Sequence, residues 1–230
     1  MAASHCAVLA WPLCNPAMTQ LKAFIIPVTP FQQNCSLVYD EAAKVGAIVD
    51  PGGDVPMILQ AIKESGVTIE KILITHGHID HAGGAAELKA ALNVPIEGPH
   101  TEDRFLLDAL DQSGAKYGMT SARPVTPDRW LDEGDTVTVG GLSFSVHHCP
   151  GHSPGSVVMF NAENKFALMG DVLFQGSVGR TDLPRGDHAA LIRSIKEKLY
   201  PLGDDVVFLP GHGNPSTIGE ERRNNPFLNE

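Results

Sequence analysis

With 230 residues, 43% of them hydrophobic and 19% charged, the chain has the composition of an ordinary folded protein and excludes a disordered or fibrous one. Its formal net charge of -10, without any basic cluster, excludes nucleic acid as a natural partner, since that affinity rests on Lys and Arg neutralising phosphates. The expected partner is a small molecule, an anionic one included if bound divalent cations reverse the local sign.

The first seventeen residues hold one apolar stretch, Ala7 to Trp11, too short to span a bilayer and without the basic start of a secretory signal. Residues 1–17 are expected to form a flexible N-terminal extension, with Met18 directly before the first strand-like run and residues 18–230 making one domain. No membrane partner is expected. The four cysteines, Cys6, Cys14, Cys35 and Cys149, have no paired spacing and read as reduced thiols, which fits a cytoplasmic protein. Cys149 reads as a buried neighbour of a metal loop rather than as a nucleophile.

Short β-branched runs at Lys22–Val28, Cys35–Tyr39 and Val45–Val49 predict three consecutive strands. Asp54 then stands where it would cap a helix running to about Ser65, with Val55, Ile58, Leu59 and Ile62 at helical spacing and Gly66 at the end. Ile72–Thr75 predicts a strand that runs into a histidine cluster, followed by a helix over Ala85–Leu92. A further helix is expected from Thr101 to about Leu110, then a polar loop through Pro127. The second half repeats this grammar: strands at Thr136–Val139, Leu142–His147, Ser156–Phe160 and Phe166–Met169, a helix over Asp187–Leu199, and a final strand at Val206–Leu209. Thr217 and Glu220 have the spacing of a capping box for a last short helix. Strands then helices, twice over, predict an α/β sandwich of two packed mixed sheets with helices outside and weak internal two-fold organisation. The competing doubly wound sheet would carry a Gly-rich phosphate loop after its first strand, and none is present.

The chemistry concentrates in Thr75-His76-Gly77-His78-Ile79-Asp80-His81, where four metal-ligand side chains fall within six positions. Imidazole and carboxylate suit zinc, iron or manganese. His76 and His78 are close enough to chelate one ion, while Asp80 and His81, across the bend into a helix, reach another. Three later residues share the same setting: His152 after Pro150-Gly151, Asp171 after Gly170 and His212 after Pro210-Gly211, each just past an apolar strand. The glycines allow the tight turns and close backbone approach of a crowded site. Asp171 is the natural bridge, because one carboxylate can give an oxygen to each of two ions about 3.5–4 Å apart. His5, His100, His147, His148 and His188 lack this setting and are left out; of these, His148 is nearest to facing the site.

This His-x-His-x-Asp-His loop, completed in order by His, Asp and His, resembles the metallo-β-lactamase superfamily from about Lys22 to the end of the chain. Within it, His152-Ser153-Pro154-Gly155-Ser156, Gly170-Asp171 and Gly211-His212-Gly213 look like the glyoxalase II branch, which hydrolyses S-acylglutathione thioesters. The resemblance implies a metallo-β-lactamase-type αββα sandwich. It implies His76, His78 and His152 on a first metal, Asp80, His81 and His212 on a second, and Asp171 shared, with Asp80 and Asp171 as the catalytic carboxylates. Asp50, in Val49-Asp50-Pro51-Gly52, matches the family's early Asp-Pro-Gly turn and would orient a ligand by hydrogen bonding. Gly176–Asp182 also resembles this branch, with Arg180 either holding a substrate carboxylate or pairing with Asp182. Eighteen residues follow His212, which is similar to the compact single-domain glyoxalase II-like group rather than to members with a helical carboxyl-terminal extension.

The expected activity is therefore binuclear metal-dependent hydrolysis of an S-acylglutathione-type thioester, S-D-lactoylglutathione to D-lactate and glutathione, with hydroxide as the nucleophile. Two divalent ions are expected, zinc first, with iron or manganese as alternatives. Two other readings stay open: a mononuclear iron persulfide dioxygenase on His76, His152 and Asp171, and a non-catalytic metal-binding module.

Overall fold

The structure is a computed structural model that describes residues 20–229. The expected extension over residues 1–17, with His5, Cys6 and Cys14, lies outside them. Strands β1 (Leu21–Val28), β2 (Gln33–Asp40), β3 (Val45–Val49), β4 (Thr68–Leu73) and β5 (Ile96–Glu97) form one sheet in that order. The second sheet takes β6 (Thr136–Val139), β7 (Leu142–His148), β8 (Val157–Asn161), β9 (Phe166–Gly170), β12 (Val207–Pro210) and β13 (Ser216–Thr217), ordered β13-β12-β9-β8-β7-β6. A two-stranded ribbon joins β10 (Leu173–Phe174) to β11 (Ser177–Val178).

Both sheets are mixed. In the first, β1, β2 and β3 pair antiparallel, while β3, β4 and β5 run parallel. In the second, β6 to β9 form an antiparallel meander, and β12 returns parallel to β9. These antiparallel runs rule out the doubly wound alternative.

Strand alternation divides the apolar residues into three layers. Val38, Ala47, Val49 and Leu73 from one sheet meet Phe144, Val146, Met159 and Leu168 from the other. The opposite faces carry Leu37, Ile48 and Ile72, which pack on helices α1 (Val55–Ser65) and α3 (Ala85–Leu92). On the far side, Val158, Ala167 and Phe208 pack on α6 (His188–Ser194) and its continuation through a wider turn, Ile195–Leu199. Every strand that carries apolar residues on both faces is sandwiched between a sheet and helices, so the expected αββα arrangement is the one that forms.

Local details differ from expectation where a side chain finds a distant partner. Asp54 occupies the position before α1 in a left-handed conformation (φ 50°) but does not cap it; its Oδ2 accepts from Thr29 N at 2.7 Å. The expected Thr101–Leu110 helix is instead a 3₁₀ turn over Thr101–Asp103, then α4 (Arg104–Leu107), with α5 (Leu110–Tyr117) occupying part of the expected polar loop. Asp108 and Ala109 interrupt the helix, and Leu107 and Leu110 on either side of the break are both fully buried. β12 is not the final strand, because Ser216–Thr217 pairs back onto it. Thr217 Oγ1 caps α7 (Ile218–Asn224) by accepting from Glu220 N at 3.1 Å, but the Glu220 carboxylate binds Asn224 rather than closing the box. Asp187 Oδ1 caps α6 at Ala190 N, 2.9 Å away. Among the described residues no helix is long and apolar enough to cross a membrane.

Candidate metal centre

β4, β7, β9 and β12 all end at one edge of the sandwich, and their carboxyl ends deliver the candidate donors. His76 and His78 follow β4 before the short helix α2 (Ile79–Ala82), which carries Asp80 and His81. His152 follows β7, Asp171 follows β9 and His212 follows β12. The edge is stitched between sheets by Val157 N donating to Thr75 O at 2.9 Å and Asn34 N donating to Gly211 O at 2.8 Å. Gly211 is required here: a Cβ would run into the Asp171 carboxylate and the His81 ring.

All seven sequence-derived donors converge, in overlapping groups. His76, His78 and His152 form one, Asp80, His81 and His212 another, and His76, His81 and Asp171 lie between them. In the first group His152 Nε2 is 3.2 Å from His76 Nε2 and 2.9 Å from His78 Nδ1. In the second, His212 Nε2 is 3.1 Å from Asp80 Oδ2, and His81 Nε2 is 3.8 Å from the same oxygen. Asp171 spans both, its Oδ2 3.5 Å from His152 Nε2 and 3.7 Å from His212 Nε2, its Oδ1 3.4 Å from His81 Nε2.

These distances fit a metal. Donors about 2.0–2.1 Å from a tetrahedral ion stand roughly 3.3 Å apart, and the donor separations straddle that value. Two of the atoms, His81 Nε2 and Asp171 Oδ1, are buried with no hydrogen-bond partner, an expensive arrangement unless a cation meets both. The residues present therefore suit divalent ions held by His and Asp.

The electrostatics sort the donors by neighbours. Burial, with the adjacent imidazoles, drives His76 well below the ordinary histidine value and His78 down to about 3, so both present neutral lone pairs at neutral pH. Burial alone would push Asp171 up, but the charges of His81, His152 and His212 hold it far below the usual carboxylate range. Asp80 is also held down, by His81 and His212 against its burial. His81 and His212 move up despite burial because carboxylates surround them.

Other residues hold the donors. Asp50, 3% exposed, accepts from Thr75 N at 2.7 Å and Thr75 Oγ1 at 2.6 Å, and its Oδ2 lies 2.9 Å from His81 Nδ1. Asn34 Nδ2 donates to Pro210 O at 3.1 Å and Gly213 O at 2.8 Å, bracketing His212. His152 Nδ1 lies 2.8 Å from Arg180 O, so position 180 meets the site through its carbonyl. The Arg180 guanidinium is bound twice by Asp182, at 2.7 Å each, on the surface. Asn34 and the buried Asp103 escaped the sequence reading, since neither lies beside a donor in the chain.

The remaining described histidines bond elsewhere. His148 stacks on His100 with ring centroids 4.0 Å apart and places Nε2 2.8 Å from Pro154 O. His147 lies beside Ser145 and Glu133, and His188 opens α6 in solvent. Cys149 is fully buried and its thiol is pushed up to about 12, which removes it as a nucleophile. Cys35 is likewise buried.

Two packed mixed sheets with a His/Asp cluster at their common edge define a divalent-metal hydrolase class: the chain belongs to the metallo-beta-lactamase superfamily, whose family model matches residues 28–212. It is 47% identical to hydroxyacylglutathione hydrolase GloC of Haemophilus influenzae, an alignment covering 89% of this chain and 97% of that one. Among solved structures it is similar to the BLEG-1 B3 metallo-beta-lactamase, with TM-score 0.81 and 38% identity over 91% of this chain and 100% of that one. TTHA1623, solved in a di-iron-bound form, gives TM-score 0.80 and 38% identity over 89% and 100%.

Proposed function

We propose that the protein is a binuclear thioester hydrolase of glyoxalase II type, cleaving S-D-lactoylglutathione or a close S-acylglutathione to the free acid and glutathione. The observation that carries this reading is the pair of donor groups joined by Asp171, whose oxygens face His152 and His212 on one side and His81 on the other. The 47% identity to a relative named hydroxyacylglutathione hydrolase supports the substrate class. His76, His78 and His152 would hold one ion, Asp80, His81 and His212 the other, with Asp171 between. Zinc is the first choice and iron the second, the latter supported by the di-iron relative; manganese is the third.

When bound, such ions bring a water's pKa towards neutrality and polarise an acyl oxygen. The chain's own residues supply the rest. Asp80, whose carboxylate is 17% exposed, orients the attacking water by accepting its hydrogen bond. His76 and His78, neutral through burial, each keep one ring nitrogen with a free lone pair for an ion. The departing thiol has an ordinary pKa of about 8.5 and leaves as thiolate, so no general acid is required. An amide would need its amine protonated, which makes a β-lactam the informative control substrate.

The test is glutathione release from S-D-lactoylglutathione by metal-replete protein, with Asp171→Ala alongside. Release by the wild type and its loss in the variant support the proposal. An inert wild type that consumes oxygen with glutathione persulfide would favour the mononuclear iron dioxygenase. A wild type inert in both, with ions bound, would favour the non-catalytic module.

A further inference from the structure

His76 and His78 come from one sheet and His152 from the other, so their mutual distances depend on how the two loops are held together. Asp103, in the 3₁₀ turn before α4, joins them. Its Oδ2 accepts from Gly77 N at 2.8 Å and from Ser153 Oγ at 2.7 Å, and its Oδ1 accepts from Gly155 N at 2.6 Å. Gly77 lies between His76 and His78, and Ser153 directly follows His152. One carboxylate thus binds main chain or side chain adjacent to all three donors of the first group.

The arrangement is tight. Asp103 is fully buried, which raises its pKa, and its three partners all donate to it, the pattern that favours the ionised carboxylate against that burial. Because the Ser153 hydroxyl donates to Asp103, Ser156 Oγ, 2.7 Å away, must be the donor to Ser153. Gly155 has no room for a Cβ, which would fall 2.6 Å from Asp103 Cγ. The second group has supports of its own, Asp50 at His81 and Asn34 around His212, with Asp50 also reaching His76 through Thr75 Oγ1, 3.2 Å from His76 Nδ1.

We propose that Asp103 is a positioning residue that sets the spacing of His76 and His78 against His152, and with it the affinity of one of the two ion sites. The inference rests on the two-ion reading given above. Replacing Asp103 by Asn puts an amide donor against groups that are themselves donors, so the two loops separate while the second group keeps its supports.

The experiment titrates full-length apoprotein with zinc in competition with a chromophoric chelator, for the wild type, Asp103→Asn and Ser153→Ala, and records apoprotein unfolding midpoints. The expected result is one equivalent weakened by roughly 10–100-fold in Asp103→Asn, in line with loss of a residue that orients metal ligands. The other equivalent keeps its wild-type affinity. Ser153→Ala, which removes one of the three donors, weakens the same equivalent by a smaller factor and carries the test if Asp103→Asn does not fold. Wild-type affinity for both ions in the folded variants, or equal weakening of both, overturns the inference, whatever happens to the midpoints. A wild type that takes up fewer than two ions overturns the two-ion reading itself, and that failure shows before any variant is made.

Discussion

Asp50 Oδ2 and His81 Nδ1 lie 2.9 Å apart in the buried floor of the site, and the same carboxylate holds Thr75 through its N–H and its hydroxyl. This contact places the Nδ1 proton of His81 towards Asp50 and turns the Nε2 lone pair towards Asp171 and Asp80. Asp50→Asn should therefore weaken the zinc equivalent held by His81 by roughly 10–100-fold, and the one that depends on Asp103 by a smaller factor, through Thr75 and His76. Chelator competition on the single and double variants checks this. Loss confined to one shared equivalent in both variants would contradict the separate bracing of the two groups.

Arg180 has two connections, and only one reaches the donors. Its carbonyl lies 2.8 Å from His152 Nδ1, while its guanidinium is taken up by Asp182 in solvent. Arg180→Ala keeps the carbonyl, so zinc uptake and kcat are expected to stay at wild-type values. Steady-state kinetics separate the alternatives: KM rising with kcat intact would place the guanidinium on the substrate instead.

His148, stacked on His100, gives the fold an acid sensitivity outside the metal centre. Burial lowers His148 below the ordinary histidine value, with His100 and the Lys198 ammonium adding to the shift, against Pro154 O and Glu133. The unfolded chain then takes up a proton near pH 6.5 where the folded chain resists it. Stability from this group is complete above about pH 6.5 and is lost as pH falls towards the lower folded value. His148→Gln keeps a donor for Pro154 O but cannot titrate. The metal-free variant should lose less of its unfolding midpoint between pH 7 and pH 5 than the metal-free wild type; parallel losses would remove His148 from the account.

Much of this was legible because the chain repeats one device. β9 and β12 are uninterrupted apolar runs, β4 closes on one at Ile72–Leu73 and β7 alternates apolar with polar residues, and in each case a donor follows the strand's end, so locating the strands located the residues that converge. Asp103 was illegible for the opposite reason. In Thr101-Glu102-Asp103-Arg104 it reads as one polar residue of a helix start, and what buries it is a loop fifty residues further on. Asp54 misled in the same way: its position suits a cap, but a carboxylate with Thr29 N within reach has a better partner. The α4–α5 break is not written in the apolar spacing either, since Leu107 and Leu110, at i and i+3, would share one face of an unbroken helix. Short-range pattern decides strands and caps here only where no distant group competes.

The most direct measurement is a zinc titration of the apoprotein that follows bound ions per chain and glutathione release from S-D-lactoylglutathione in the same samples. Two ions bound per chain, with thioester cleavage rising as they fill and absent in Asp171→Ala, is the predicted result. One ion per chain with no thioester cleavage, and oxygen uptake on glutathione persulfide after iron loading, would contradict it.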